Sequence, residues 1–156
     1  MVLAASSAAR ADVILTLTDP NPSALPGTVV TVLATAFNND ANTVFLNGIS
    51  LNADSPLTVD DSPFLNNWFS IAGNSFFDPN PQPLFTITVP LGATFGPYAV
   101  TVTLLGGPDP GDQNILNTTP ALTVNVNVSD VPEPGSFLLV TCGLVFGIWR
   151  GRRAAL

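Results

Sequence analysis

Between Asp12 and Asp130 the apolar residues recur at every second position, the periodicity of strands with one buried face. Residues 121–128, ALTVNVNV, show it most clearly: Leu122, Val124, Val126 and Val128 point one way, Thr123, Asn125 and Asn127 the other. Tyr98 to Leu104 sets Tyr98, Val100, Val102 and Leu104 against Thr101 and Thr103, and Leu84 to Val89 sets Phe85, Ile87 and Val89 against Thr86 and Thr88. Val13 to Thr18, Thr28 to Phe37 and Thr43 to Ser50 are rich in Val, Thr and Leu and bounded by Pro, Gly and Asn clusters, which predicts three more strands. Residues 60–70, DDSPFLNNWFS, break the alternation. They predict one helical turn with Ser62 as N-cap and Pro63 in the first helical position, and with Phe64, Trp68 and Phe69 plugging one end of the core.

Short strands separated by Pro and Gly turns, in a stretch the size of one domain, predict an all-β protein: a two-sheet β-sandwich over residues 12–130, with immunoglobulin-like topology. The segment DPNPSALPGTVVTVLATAFNND, residues 19–40, resembles the start of Ig-like domains of bacterial surface proteins, where a Pro-Gly turn precedes the second strand. That resemblance implies a fold and no function. The Cys and Trp pairing of antibody domains is absent. With no Lys in this stretch, the edge strands have to be guarded by Pro, Asn and Asp in the loops.

Charge narrows the function. Only 10% of the chain is charged, against roughly 25% in an average soluble protein. From Asp12 to Asp130 there are ten Asp and no Lys, Arg or His. Nucleic acid is excluded as a partner, because phosphate neutralisation supplies most of that affinity. The same field repels anionic lipid and acidic polysaccharide unless a divalent cation bridges them. The only cysteine, Cys142, lies in an apolar run. Without His or Lys the body also lacks the bases that activate Ser or Cys nucleophiles, so no catalytic residue is assigned. Asp60 with Asp61, or Asp109 with Asp112, could be proposed as a glycosidase pair, but loop aspartates ordinarily form turns.

Two binding chemistries stay open. Residues 106–114, GGPDPGDQN, offer oxygens from Asp109, Asp112 and Asn114 to calcium, or are a polar hairpin; no other cofactor is indicated. Trp68, Phe69, Phe76 and Phe77 are the one aromatic cluster able to make a sugar-binding platform, or they belong to the core.

The two ends are of another kind. Residues 1–11, MVLAASSAARA, close with Ala9-Arg10-Ala11, the pattern signal peptidase cleaves, and read as the end of a signal peptide. The positive region that opens a full signal is missing, which places the true start upstream of Met1. Ser136 to Trp149 carries no charge and would span about 21 Å as a helix at 1.5 Å per residue, short of a hydrocarbon core of about 30 Å. Trp149 sits where an interfacial aromatic would, and Arg150, Arg152 and Arg153 follow at once and can snorkel to the headgroups. A single transmembrane helix is expected here. The positive-inside rule then keeps the C-terminus cytoplasmic and everything before Val131 outside.

Val131-Pro132-Glu133-Pro134, the apolar run and the arginines, in this order, resemble the PEP-CTERM sorting signal of exported bacterial proteins. The match covers residues 131–156. The resemblance implies recognition of Val131, Pro132, Glu133 and Pro134 by exosortase, a membrane-embedded cysteine transpeptidase that removes the anchor in Gram-negative bacteria making extracellular polysaccharide. It implies an inner-membrane precursor, then a cell-surface or extracellular product whose neighbour is that polysaccharide. Physical chemistry suits the role: two prolines hold the chain extended, forbid helix until after Pro134, and expose the chain's one Glu between them. The tail RGRRAAL departs from the usual pattern in having Gly151 inside the basic cluster and three apolar residues at its end. What the sandwich itself does is expected to be non-catalytic: a spacer or adhesive brick, or alternatively a carbohydrate-binding module.

Overall fold

Alternation along the chain becomes strands wherever it was expected. The computed structural model describes residues 13–116 and 122–128, and of the second stretch only the side chain of Val126. The elements are β1 (Val13–Leu17), β2 (Ser23–Ala24), β3 (Val29–Asn38), β4 (Val44–Ala53), β5 (Thr58–Asp60), α1 (Ser62–Asn67), β6 (Ser70–Ile71), β7 (Ser75–Phe76), β8 (Gln82–Thr88), β9 (Gly96–Gly107), β10 (Asn114–Ile115) and β11 (Leu122–Val128). The six long ones are the expected strands. The others are two or three residues long, too short for a period to register.

One sheet has the order β1-β3-β8-β5, with β7 also on β3; the other has β2-β11-β9-β4-β6, with β10 also on β9. The pairing is antiparallel throughout except for β2 beside β11. Lettering β1, β3, β4, β5, β8, β9 and β11 from A to G gives A-B-E-D packed on C-F-G, the division of immunoglobulin-like sandwiches. Tyr98, near the start of the sixth of these strands, donates its hydroxyl to the Thr94 carbonyl at 2.7 Å, and the Thr94 hydroxyl lies 2.8 Å from the same oxygen. This is the tyrosine corner of such folds.

The core follows from the period of two. Val13, Leu15 and Leu17 of β1, Val32, Ala34 and Ala36 of β3, and Val100, Val102 and Leu104 of β9 are buried while their neighbours face out. Two bulges break the rule. Between Val32 and Leu33 the partners of β3 jump from Phe85 to Pro83, so Leu84 opposes nothing and both Leu84 and Phe85 enter the core. Between Leu46 and Gly48 the register of β4 on β9 skips Asn47.

The helical turn is present, with a different start. Asp61, not Ser62, holds the cap position, without a side-chain cap bond, and Pro63 falls in the second helical position. The cause is Asp60: its Oδ1 accepts the Ser62 N–H at 3.1 Å and the Ser62 hydroxyl at 2.6 Å, which takes up the side chain that would have capped. Phe64 and Trp68 are buried as expected. Phe69 is not; it points to solvent because the chain turns to strand at Trp68, where ψ is 118°. The edges are blunted chiefly by brevity: β2, β5 and β6 are two or three residues long.

Opposite ends of the sandwich collect different loops. Val13 pairs with Asn38, and β1 therefore begins beside the β3–β4 turn and the β9–β10 loop; this is the β1 pole. Val128 pairs with Gly96 and, in parallel, with Ala24, so β11 ends beside the β2–β3 turn and the β8–β9 loop; this is the β11 pole. At Gly27 the turn Leu25-Pro26-Gly27-Thr28 needs a left-handed residue (φ 82°) and closes through the Thr28 N–H on the Leu25 carbonyl at 3.2 Å.

Candidate functional site

The aspartates are turn builders before anything else. Asp19 Oδ1 accepts the Asn21 N–H at 3.0 Å, Asp40 Oδ1 that of Asn42 at 3.1 Å, and Asp78 Oδ1 that of Asn80 at 2.8 Å. Asp60 does the same for Ser62, so the pattern Asp-X-Asn/Ser recurs as an Asx turn at each place. Asp54 reaches further and accepts the Ala99 N–H at 2.8 Å. The Asp60 carboxyl is held below its ordinary pKa, first by the Ser62 hydroxyl and then by the Ser62 N–H. A glycosidase acid needs the opposite shift. What these bonds add to stability is present above the ordinary Asp range and is lost as pH falls through the lowered value.

The 109–112 loop is similarly occupied. Asp112 Oδ2 accepts the Asp109 N–H at 3.1 Å, and the Asp109 carbonyl accepts the Asp112 N–H at 3.2 Å. Asn47, released by its bulge, donates to the carbonyls of Asp109 at 3.1 Å and Asp112 at 2.9 Å. Asn114 sits in β10 opposite Gly106. Among the described residues no three His, Cys, Asp or Glu gather where a metal ion could be held. With Asp112 and the carbonyls of Asp109 and Asp112 already accepting hydrogen bonds, millimolar Ca²⁺ and Mg²⁺ at equal ionic strength are expected to raise the melting temperature equally, by screening the aspartates. A shift specific to Ca²⁺ would establish a site that binds only the native state.

Two open depressions among the described residues offer little for catalysis: one is lined by Thr18, Asp19, Pro22 and Val30 to Leu33, another by Ile49, Ser50, Leu51, Val59, Asp61 and Leu105. Each contains a single carboxylate.

The aromatic cluster divides. Trp68 is buried, stacked on Phe77 at 4.6 Å and on Phe64 at 6.1 Å, with Nε1 donating to the Pro83 carbonyl at 2.8 Å. Phe69 and Phe76 are exposed. Phe76 lies across from Phe37, and Phe37 across from Ile14, which makes an apolar row on the outer face of the first sheet. Its two rings are tilted by 58°, so they do not form the flat platform on which a sugar would stack.

A second set of exposed apolar residues lies at the β11 pole: Leu25 in the β2–β3 turn, and Leu91 and Phe95 in the β8–β9 loop. Sequence reading passed over them. The available signal was large apolar side chains inside the turn-forming stretch PLGATFGP, residues 90–97, where no strand periodicity accounts for them. Asn38 was also missed. It is the buried polar residue of the core, donating to the carbonyls of Asn42, Ile71 and Ala72 at 2.7, 3.1 and 3.2 Å and accepting the Asp40 N–H at 2.9 Å.

Val131, Pro132, Glu133, Pro134, Arg150, Arg152 and Arg153 lie outside the described residues, as do the apolar run 136–149 and the segment 1–11. No helix among the described residues is long and apolar enough to cross a membrane. No family model matches the chain, and no curated protein does. Among solved structures it is similar to the third ScaB cohesin of R. flavefaciens, determined in complex with a group 1 dockerin. The identity is 22% over 79% of this chain and 99% of that one, with a TM-score of 0.43.

Proposed function

We propose that the chain is an exported, non-catalytic bacterial surface or matrix protein, delivered by residues 131–156 acting as an exosortase-type sorting signal. The observation that carries this reading is the order of Pro132-Glu133-Pro134, the apolar run 136–149 and Arg150, Arg152 and Arg153 in the sequence, and the course of β11 is compatible with it. That strand ends at one pole, and the sequence runs on from there to residues 131–156, while Asp40, Asp109 and Asp112 stand in loops at the opposite pole. A membrane anchor at the β11 pole holds the aspartate loops outward, towards the extracellular polysaccharide and away from lipid phosphate. The sandwich then acts as a spacer that displays these loops. Among the described residues the carboxylates of Asp19, Asp40, Asp60 and Asp78 are used in closing turns, which supports a non-catalytic role.

In a host with exosortase the mature protein is expected outside the cell, lacking the residues after about Pro134. Without the enzyme the same chain stays in the inner membrane with its sandwich outside. Replacing Pro132, Glu133 and Pro134 together by alanine leaves the apolar run and Arg150, Arg152 and Arg153 intact, and so separates recognition from anchoring. The triple variant is expected to remain membrane-bound and untrimmed, which mass spectrometry of the C-terminus reads directly. Trimming and export at the wild-type level would reduce residues 131–134 to a linker and remove the proposal.

A further inference from the structure

We infer that the β11 pole is a lipid-facing tip: Leu25, Leu91 and Phe95 rest in the interfacial layer of the bilayer that holds residues 136–149. This inference rests on the anchored state proposed above.

Leu91 is 85% exposed, Phe95 55% and Leu25 37%. Val29, which follows the same turn, is 61% exposed. Large apolar side chains usually lie inside, and here four stand out at one end of the molecule. They are held there by the fold. The two loops are tied by the Gly27 N–H on the Val89 carbonyl at 2.8 Å and the Val89 N–H on the Thr28 carbonyl at 2.9 Å. Leu91 lies over the Pro-Gly turn, with its Cδ2 2.6 Å from where a Cβ of residue 27 would be. The Tyr98 hydroxyl fixes Thr94 beside Phe95.

Charge and reach favour lipid as what covers them. The segments 25–28 and 90–95 contain no ionisable side chain, while Asp40, Asp109 and Asp112 stand at the other end. Asp54, in the loop after β4, accepts the Ala99 N–H at 2.8 Å, and Asp130 and Glu133 follow β11 in the sequence. Residues 129–135 separate β11 from the apolar run, a span of at most about 25 Å at 3.3–3.6 Å per residue. Anchored there, the tip needs only a tilt of the sandwich to reach the headgroup and acyl boundary, where apolar faces bury about 5–10 Å deep.

The test uses the full chain with Cys142→Ser, reconstituted in phosphatidylcholine vesicles. Single cysteines replace Leu91, Phe95 or, as a control at the other pole, Phe76, each carrying an environment-sensitive NBD label. At positions 91 and 95 the emission is expected to shift to the blue and to be quenched by nitroxide lipids; at 76 it stays that of a label in water. If the chain floats with the vesicles but labels 91 and 95 remain in water, the tip is overturned and the anchor stands. A blue shift without quenching by lipid nitroxide means that protein covers the tip, another copy or this chain's own C-terminal segment, and also overturns it. A chain that does not float removes the anchor, and the tip with it.

Discussion

Trp68→Ala is expected to lower the unfolding free energy by about 3–5 kcal/mol, the range for emptying a buried aromatic site. At roughly 4 °C per kcal/mol this takes some 10–20 °C from the melting temperature. Trp68 fills the end of the sandwich between Phe64 and Phe77, and its indole N–H satisfies the Pro83 carbonyl next to the β8 bulge. Truncation removes both rings' stacking partner and leaves that carbonyl without its donor. Trp68→Phe separates the two effects, keeping most of the volume and losing the bond, at about 1–3 kcal/mol. Phe69→Ala, one residue on but exposed, is expected within about 0.5 kcal/mol of wild type. Chemical denaturation followed by circular dichroism checks all three. Equal losses at 68 and 69 would contradict the assignment of Trp68 to the core.

Asn38→Ala carries the second largest expected effect, about 2–4 kcal/mol, through unmade hydrogen bonds more than through lost volume. The Asn38 amide joins the β3–β4 turn to the segment after β6, donating to Asn42, Ile71 and Ala72 while its oxygen takes the Asp40 N–H. The Ile71 carbonyl, buried with Asn38, loses its bond without replacement, while the carbonyls of Asn42 and Ala72 are within reach of water. Asn38→Asp keeps the shape and turns the stability into a function of pH. A carboxylate there faces three carbonyl oxygens, and burial and these neighbours raise its folded pKa above the unfolded value. The part of the destabilisation due to ionisation is complete above the folded pKa, shrinks as pH falls through it, and is gone below the ordinary Asp range. What remains there is the loss of donors, from the amide's two N–H to one O–H. A pH-independent loss for Asn38→Asp would contradict the buried amide network. Because Gly73 packs against the Ala41 carbonyl in the same place, local loosening of the β1 pole should accompany either change.

Six strands were legible in the sequence because each buries one face, and a period of two is imposed by that burial alone. Val13 to Leu17 and Val100 to Leu104 show this without exception. The Pro-Gly turn at Gly27 was legible for an equally local reason, since only glycine takes φ of 82° there without strain. The helical turn was legible in kind but not in phase: Asp60 competes with Ser62 for the cap, and such competition between adjacent polar side chains is settled by geometry.

Only the tertiary structure decided which apolar residues leave the rule. Leu84 enters the core because β8 carries a bulge there opposite Val32 and Leu33 of β3, and a skipped partner is set by the strand opposite. Trp68 and Phe69 are neighbours in the same aromatic cluster, and one is core while the other is surface; the direction of the chain leaving α1 makes the difference. Asn38 read as one of several turn residues, and its burial follows from Ile71 and Ala72, more than thirty positions away, closing over it. Leu25, Leu91 and Phe95 are far apart in sequence and come to one pole through the pairing of β2 with β11 and of β11 with β9. Periodicity records what each strand does with its own two faces; which strands lie side by side depends on contacts distant in the chain, and no local pattern encodes them.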